Sequence, residues 1–175
     1  MNTLKLTALL LLTGLSLNAS AQFEKAEVYV SGMTCSMCQL ATQKALKTID
    51  FISDIKPDLT KNSFVLTFRN DRPVNFDMIR KKIKDAGFSV SKLVTTFNFN
   101  KTAVSNSQFS YEGSSYRFIS RQDKALNGDV KLMLVSSGFI PSSEFKKYAA
   151  QNTDPSYKTG MTGTEKVFHV MLASN

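Results

Sequence analysis

Between residues 24 and 92 the spacing of hydrophobic residues changes several times, and each change predicts a new element of secondary structure. Ala26, Val28 and Val30 alternate with residues that face the other way, as expected of a β-strand with one buried face. From Cys38 to Ile49 the small and apolar residues instead recur every three or four positions. That period predicts an amphipathic α-helix directly after the strand.

Four further elements are predicted before residue 93. Asn75 is a favourable N-cap for a second helix, and Gly87 suits the left-handed conformation just past its end. The predicted elements are strands at 51–55 and 64–68, a helix at 75–86, and a strand that begins at 88. The order is therefore β-α-β-β-α-β. With right-handed crossovers it predicts a ferredoxin-like sandwich, an α+β fold with both helices on one face of an antiparallel sheet.

After residue 92 the composition shifts towards Ser, Asn, Thr, Phe and Tyr, so we expect one domain over 22–92 and a second over 93–175. Alternation over Leu93–Phe99 indicates that the fourth strand continues past the boundary without a flexible linker. The predicted elements of the second half are strands at 109–111, 116–119, 130–135 and 167–172, one short helix with Ser142 as N-cap, and a loop over 151–164. They predict a small β-rich domain, compatible with an OB-like arrangement, that does not by itself indicate a ligand.

Residues 1–21 have the composition of a secretory signal peptide. Lys5 supplies a positive charge, Leu6–Leu17 is an apolar run too short to span a membrane, and Ala19-Ser20-Ala21 matches the small-residue cleavage pattern. An uncleaved membrane anchor is the alternative. We expect an exported protein, periplasmic or secreted, whose mature chain begins at Gln22 and does not insert stably into a membrane.

The 22 Lys and Arg residues outnumber the 14 Asp and Glu residues, for a formal charge of +8, but the excess is spread along the chain. The one basic cluster is Arg80-Lys81-Lys82 with Lys84, on the second predicted helix. A nucleic-acid-binding protein concentrates such charge beside aromatic residues or a recognisable motif, so nucleic acid is not an expected partner. We interpret the cluster as a solvated helix face, with electrostatic steering of an acidic partner as the alternative.

The chain has two cysteines, and both lie in Cys35-x-x-Cys38 where the first strand meets the first helix. The N-terminal end of a helix favours thiolate over thiol, because its backbone N–H groups are unpaired and carry partial positive charge. Gly32 permits a tight exit from the strand. Two sulfur ligands with no nearby His or carboxylate form a soft site. Such a site selects copper(I), also accepts mercury(II), silver(I) or zinc(II), and disfavours magnesium and calcium.

The loop Gly32-Met33-Thr34-Cys35-Ser36-Met37-Cys38 resembles the G-M-T-C-x-x-C metal-binding loop of the heavy-metal-associated domain family. Lys82–Phe88 resembles the I-x-x-A-G-[YF] segment that precedes the last strand in that family. The resemblance covers about residues 26–91. The family includes copper chaperones, N-terminal domains of copper-exporting ATPases and the periplasmic mercury-binding protein.

This resemblance implies that Cys35 and Cys38 are the metal ligands. Met33 would pack beneath the loop and Phe88 would shield the sulfurs from solvent, although many members carry Lys or Tyr at or near that last position. The implied supporting residues are Gly32, Met33, Thr34 and Phe88. The implied role is that of a metal carrier or sequestration protein, which exchanges its ion with a partner that has soft ligands of its own.

Several alternatives stay open at the level of sequence. The cysteine pair could be a structural disulfide, or the fold could be a metal-independent interaction scaffold. A thioredoxin-like redox role is disfavoured, because there is no W-C-x-x-C segment and the order of elements differs. Met37 is expected to contact a partner rather than the metal. A second soft-metal site would use His169, Met133, Met161 and Met171. No catalytic triad, paired-carboxylate motif or phosphate loop is present, so no enzymatic activity is predicted.

Overall fold

The computed structural model describes residues 22–100, 102–122 and 125–173. The predicted signal peptide at 1–21 lies outside these residues. Among the residues that are described, no helix is both long enough and apolar enough to cross a membrane.

The first half of the chain forms the predicted ferredoxin-like unit. Its elements are β1 (Gln22–Ser31), α1 (Ser36–Lys47), β2 (Ile52–Asp58), β3 (Ser63–Phe68), α2 (Phe76–Asp85) and β4 (Ser89–Asn98). The local signals at the ends of α2 act as predicted: Asn75 Oδ1 accepts a hydrogen bond from the Met78 N–H at 3.0 Å, and Gly87 has φ of 92°. β1 lies at the centre, paired antiparallel with β3 on one side and β4 on the other.

The described part of the second half adds five strands and two helices. They are β5 (Gln108–Tyr111), β6 (Ser114–Phe118), β7 (Asp129–Leu134), α3 (Ser142–Gln151), α4 (Ser156–Thr159), β8 (Met161–Thr162) and β9 (Glu165–Leu172). The segment 151–164, predicted as a loop, contains α4 and β8. The N-cap of α3 is Pro141 rather than Ser142, and no side chain caps this helix.

The nine strands of the described residues belong to one sheet, in the order β2-β3-β1-β4-β7-β9-β6-β5, with β8 paired to β9. The boundary expected after residue 92 falls inside β4, whose second half pairs antiparallel with β7. The added strands therefore extend the free edge of the ferredoxin-like sheet instead of forming an OB-like arrangement. The physical reason is that an edge strand presents unpaired backbone groups, which β7 satisfies.

The main hydrophobic core lies on the face of the sheet that the helices α1 and α2 cover, and it includes residues from both halves. Phe76 of α2 is fully buried. Its ring centroid lies 4.8 Å from that of Phe23 in β1 and 6.0 Å from that of Phe168 in β9. Tyr116 of β6 stacks on Phe168 at 5.3 Å. Aromatic contacts thus join β1 and β9 in one core.

A second, smaller core lies on the opposite face, where Val135, Ile140 and Tyr157 are buried beneath α3. Alternation along the strands explains the two faces, since Leu134 belongs to the main core while Val135 next to it belongs to the second. Helix α3 therefore covers only the part of this face formed by the second half of the chain.

Candidate metal site

Cys35 lies between the end of β1 and the start of α1. It is the N-cap of α1, with an extended backbone (φ −144°, ψ 156°), and its Sγ accepts a hydrogen bond from the Cys38 N–H at 3.2 Å. Its carbonyl accepts the N–H of Gln39, also at 3.2 Å, which is the first hydrogen bond of the helix. The start of α1 therefore fixes the positions of both cysteines relative to each other.

Cys35 and Cys38 are joined by a disulfide, and their Cα atoms are 5.2 Å apart. Both sulfurs thus reach a common point, as binding to one metal ion also requires. Cys35 is exposed and Cys38 is half-buried, so the pair is open to solvent. Because thiolates are the metal ligands, the disulfide must first be reduced by two electrons before either sulfur can bind an ion.

The four residues expected to support the loop have different environments. Gly32 has φ of 90°, and a Cβ at that position would lie 3.5 Å from Cδ1 of Phe88. Met33 is buried in the main core at 5% exposure, whereas Thr34 is exposed. Phe88 is half-buried and packs against the main core. Its ring therefore lies beside the start of the cysteine loop, next to Gly32.

The surroundings of the cysteines contain few other ligands. Within the described residues, no group of three or more His, Cys, Asp or Glu side chains could hold a metal ion. The first turn of α1 has no acidic residue that could serve as a further ligand. Lys44 and Lys47 lie in the last turn, where the negative end of the helix dipole favours positive charge. After reduction, the residues present offer two soft sulfur ligands beside the positive end of a helix.

The other sulfur- and nitrogen-bearing residues singled out from the sequence do not converge. Met133 and Met171 face each other across β7 and β9, but Met161 lies on β8 and is 39% exposed. His169 is buried at 1% exposure, and its Nε2 lies 3.3 Å from Ser156 Oγ. Met37 is 70% exposed at the surface of the cysteine loop.

Sequence reasoning missed the polar network around His169. Arg117 Nη1 lies 2.9 Å from Asp154 Oδ2, and Asp154 Oδ1 accepts the Ser156 N–H at 2.9 Å. Burial lowers the pKa of His169, and the nearby Asp154 carboxylate opposes this shift only in part. The signal that could have revealed the network is Asp154-Pro155-Ser156, a combination typical of a helix start.

Ser, His and Asp do not form a catalytic triad here. In a triad the carboxylate and the hydroxyl lie on opposite nitrogens of the imidazole. In this protein Ser156 Oγ and Asp154 Oδ2 lie 3.3 Å and 3.6 Å from the same nitrogen, Nε2 of His169. The hydroxyl and the imidazole are also buried, so the network fixes α4 against β9 rather than facing a substrate.

Comparison with known proteins identifies the first half of the chain. The heavy-metal-associated domain profile matches residues 27–89. The mercuric transport protein periplasmic component of Pseudomonas fluorescens is 32% identical over 62 residues, which is 35% of this chain and 67% of that protein. The chain belongs to the heavy-metal-associated domain family.

Two solved structures are similar to this heavy-metal-associated domain. The CopZ metallochaperone is 24% identical and the match covers 38% of this chain and 97% of that chain, with a TM-score of 0.35. Oxidized MerP from Ralstonia metallidurans CH34 is 28% identical and the match covers 41% of this chain and 96% of that chain, with a TM-score of 0.35.

The heavy-metal-associated domain is a metal-binding carrier module, and its members bind soft metal ions. The first half of this chain is therefore a metal-binding domain. The profile does not extend over β5–β9, so the contribution of the second half has to be inferred from its own residues.

Proposed function

We propose that this protein is an exported carrier of a soft metal ion, copper(I) in the first place, which it binds through Cys35 and Cys38. The observation that carries the proposal is the meeting of both sulfurs at an exposed helix start within a heavy-metal-associated domain. Soft sulfur ligands with low coordination number prefer copper(I), while mercury(II), silver(I) and zinc(II) are the alternative cargoes.

The proposed mechanism is ligand exchange. Reduction of the disulfide releases two thiols, and the positive end of α1 favours their ionisation. A thiolate of the partner then binds the carried ion while Cys35 and Cys38 still hold it, so the ion moves through a three-coordinate state. Because Cys35 is exposed, the partner's sulfur can approach the ion directly.

Export is the second part of the proposal. The composition of residues 1–21 supports it, and so does the similarity to the mercuric transport protein periplasmic component of Pseudomonas fluorescens. An oxidising compartment would also be consistent with the disulfide between Cys35 and Cys38. In such a compartment a reductant has to act on this protein before it can load metal.

Anaerobic copper(I) titration of the reduced protein against a chromophoric chelator tests the proposal. Wild type should remove one equivalent of copper(I) from the chelator, and Cys35→Ser with Cys38→Ser should remove none. Met37→Leu is the matched control, since it changes a sulfur within the same loop and should leave the titration unaltered. Identical titrations of wild type and the cysteine variant would favour the metal-independent scaffold instead.

A second candidate, thiol–disulfide exchange, is favoured by one observation, the disulfide itself. It predicts turnover of a disulfide substrate in the absence of metal. Assaying insulin reduction by the metal-free protein separates the two functions, because a carrier gives no turnover above that of the free reductant.

A further inference from the structure

The second half of the chain contributes to the end of the molecule that carries the cysteines. Ser31, at the end of β1, pairs with Ser89, at the start of β4. Strand β7 runs antiparallel to β4, so the chain leaves β7 at this same end. The segment that follows, 135–141, therefore lies near the cysteine loop and forms a wall that the heavy-metal-associated domain alone does not have.

A groove of about 550 Å³ runs between this segment and α2. One side is basic, with Arg80 and Lys84 of α2, and the other is apolar, with Ile140, Pro141 and Phe145. No Asp or Glu lines the groove among the residues described. Its size lies within the roughly 300–1,000 Å³ range of ligand-binding clefts.

The two basic side chains differ in how they are held. Arg80 Nη2 lies 3.0 Å from Asp77 Oδ1, and its guanidinium lies over the Phe139 ring at 5.7 Å. Gly138 lets this side chain pass, since a Cβ there would come within 2.8 Å of Arg80 Cδ. Lys84 is exposed and has no ion-pair partner within the described part of the chain. Lys84 is thus available to an acidic group from outside.

The floor of the groove exposes an unpaired strand edge. β7 pairs with β4 only over Val94–Asn98, and no described strand pairs with residues 89–93 on that side. Ser89, Val90 and Ser91 of this unpaired part line the groove. Free backbone groups along an edge bind an extended segment of another chain by adding it as a strand.

The groove is continuous with the cysteine loop through Phe88. This ring lines the groove and also lies beside Gly32, at the start of the loop. A segment bound along the edge of β4 would therefore bring its own protein to the exposed side of Cys35.

We propose that this groove binds an extended acidic segment, with apolar side chains, of the protein that exchanges metal with Cys35 and Cys38. The proposal rests on the proposed carrier function and assigns the second half of the chain a role in it. The free edge of β4 would supply backbone hydrogen bonds. Lys84 would pair with a carboxylate, the nearby Arg80 guanidinium would add positive charge, and Pro141 and Phe145 would contact apolar side chains.

The test uses the full mature chain and a fluorescent synthetic peptide that contains alternating Glu and Phe residues next to Ser-x-x-Ser, so that binding does not depend on metal. Fluorescence anisotropy measures its Kd. Lys84→Glu should weaken binding roughly tenfold, because like charges then face each other across the interface. Lys81→Glu is the matched control, since Lys81 lies on the same helix but pairs with Asp85 and does not line the groove.

The expected pattern includes two further results. A peptide with Lys in place of Glu should not bind, and a proline in the centre of the acidic peptide should abolish binding, because it removes a backbone N–H. Equal losses in Lys84→Glu and Lys81→Glu would show general charge attraction only and would overturn the proposal. Failure of wild type to bind the acidic peptide would overturn it as well.

A second measurement separates this proposal from the carrier function. The acidic and basic peptides are prepared with Cys-x-x-Cys, and the rate of copper(I) transfer from the loaded protein is measured. Transfer at equal rates to both peptides would leave the carrier function standing and refute the groove. If the reduced protein takes up no copper(I), the carrier function itself fails, and the groove loses the role assigned to it.

Discussion

Phe168→Ala is the substitution that best tests whether the two halves of the chain unfold together. Phe168 lies in β9, is 5% exposed, and its ring is 6.0 Å from Phe76, 5.3 Å from Tyr116 and 5.9 Å from Phe139. Removal of a buried phenyl ring costs about 3–5 kcal/mol, through lost burial and the cavity that remains. Against a typical total of about 5–15 kcal/mol, this loss is large.

Native-state hydrogen exchange measures which backbone amides lose protection when Phe168 is replaced by Ala. If one core holds both halves, the slowest amides of β1 should exchange faster, although they are far from residue 168 in sequence. At about 1.36 kcal/mol per tenfold, a loss of about 3–5 kcal/mol corresponds to roughly two to nearly four orders of magnitude in exchange rate. Phe168→Leu keeps much of the apolar volume and should show a smaller increase at the same amides. Unchanged exchange in β1, with faster exchange confined to β5–β9, would refute the single core and favour two independent domains.

Three further predictions follow from the site and its surroundings. Below pH 6.5, the ordinary pKa of histidine, stability should fall, because burial lowers the pKa of His169 and the unfolded chain takes up the proton more readily. A further loss of stability should follow in stronger acid. Burial alone would raise the pKa of Asp154, but hydrogen bonds from Arg117 and Ser156 outweigh it and hold that pKa well below 3.8. Thermal unfolding measured against pH follows both losses, and a His169→Gln variant that keeps the loss just below pH 6.5 would contradict the assignment to His169. Gly32→Val should cost about 1–3 kcal/mol in urea unfolding, since φ of 90° strains a β-branched residue, whereas Gly163→Ala, also at positive φ but with open space around it, should cost less. Finally, the oxidised protein should bind no copper(I) until a dithiol reductant is added; uptake by the oxidised form would place the ligands elsewhere.

The parts of the fold that follow from nearby residues could be predicted from the sequence. The N-cap Asn75, the positive φ at Gly87 and the helix start at Cys35 each depend on a few adjacent positions. The cysteine loop belongs to the same group, because a strand, a glycine and a helix start in succession bring both sulfurs together. The redox state of the pair could not be predicted, since the same spacing permits a disulfide or two free thiols.

The features that depend on distant pairings were not predictable in the same way. Pairing of β4 with β7, and the parallel pairing of β6 with β9, join segments that have no common local signal. Helix α4 has four residues, too few to give a helical period. It is held by hydrogen bonds from Tyr157 to Val135, just after β7, and between Ser156 and His169 of β9. The groove beside the cysteine loop results from these pairings. The basic cluster on α2 allowed an acidic partner as an alternative, but the sequence could not place a groove beside it.

The short pairing between β4 and β7 has two consequences. It joins the two halves of the chain in one sheet, and it leaves the edge of β4 uncovered beside the cysteine loop. Along Val94–Asn98 the two strands pair, and Phe97 in this stretch packs its ring 4.7 Å from those of Phe23 and Phe99, so the second half joins the core there. Had β7 continued alongside residues 89–93, it would have closed the edge that borders the cysteine loop. Instead, the segment after Leu134 turns away from β4 and continues towards α3, so the edge next to Phe88 stays uncovered by β7. The uncovered stretch of an edge strand presents unpaired backbone N–H and C=O groups to which another chain can add. The partial cover therefore favours a binding role for the open stretch over a purely structural role for the second half.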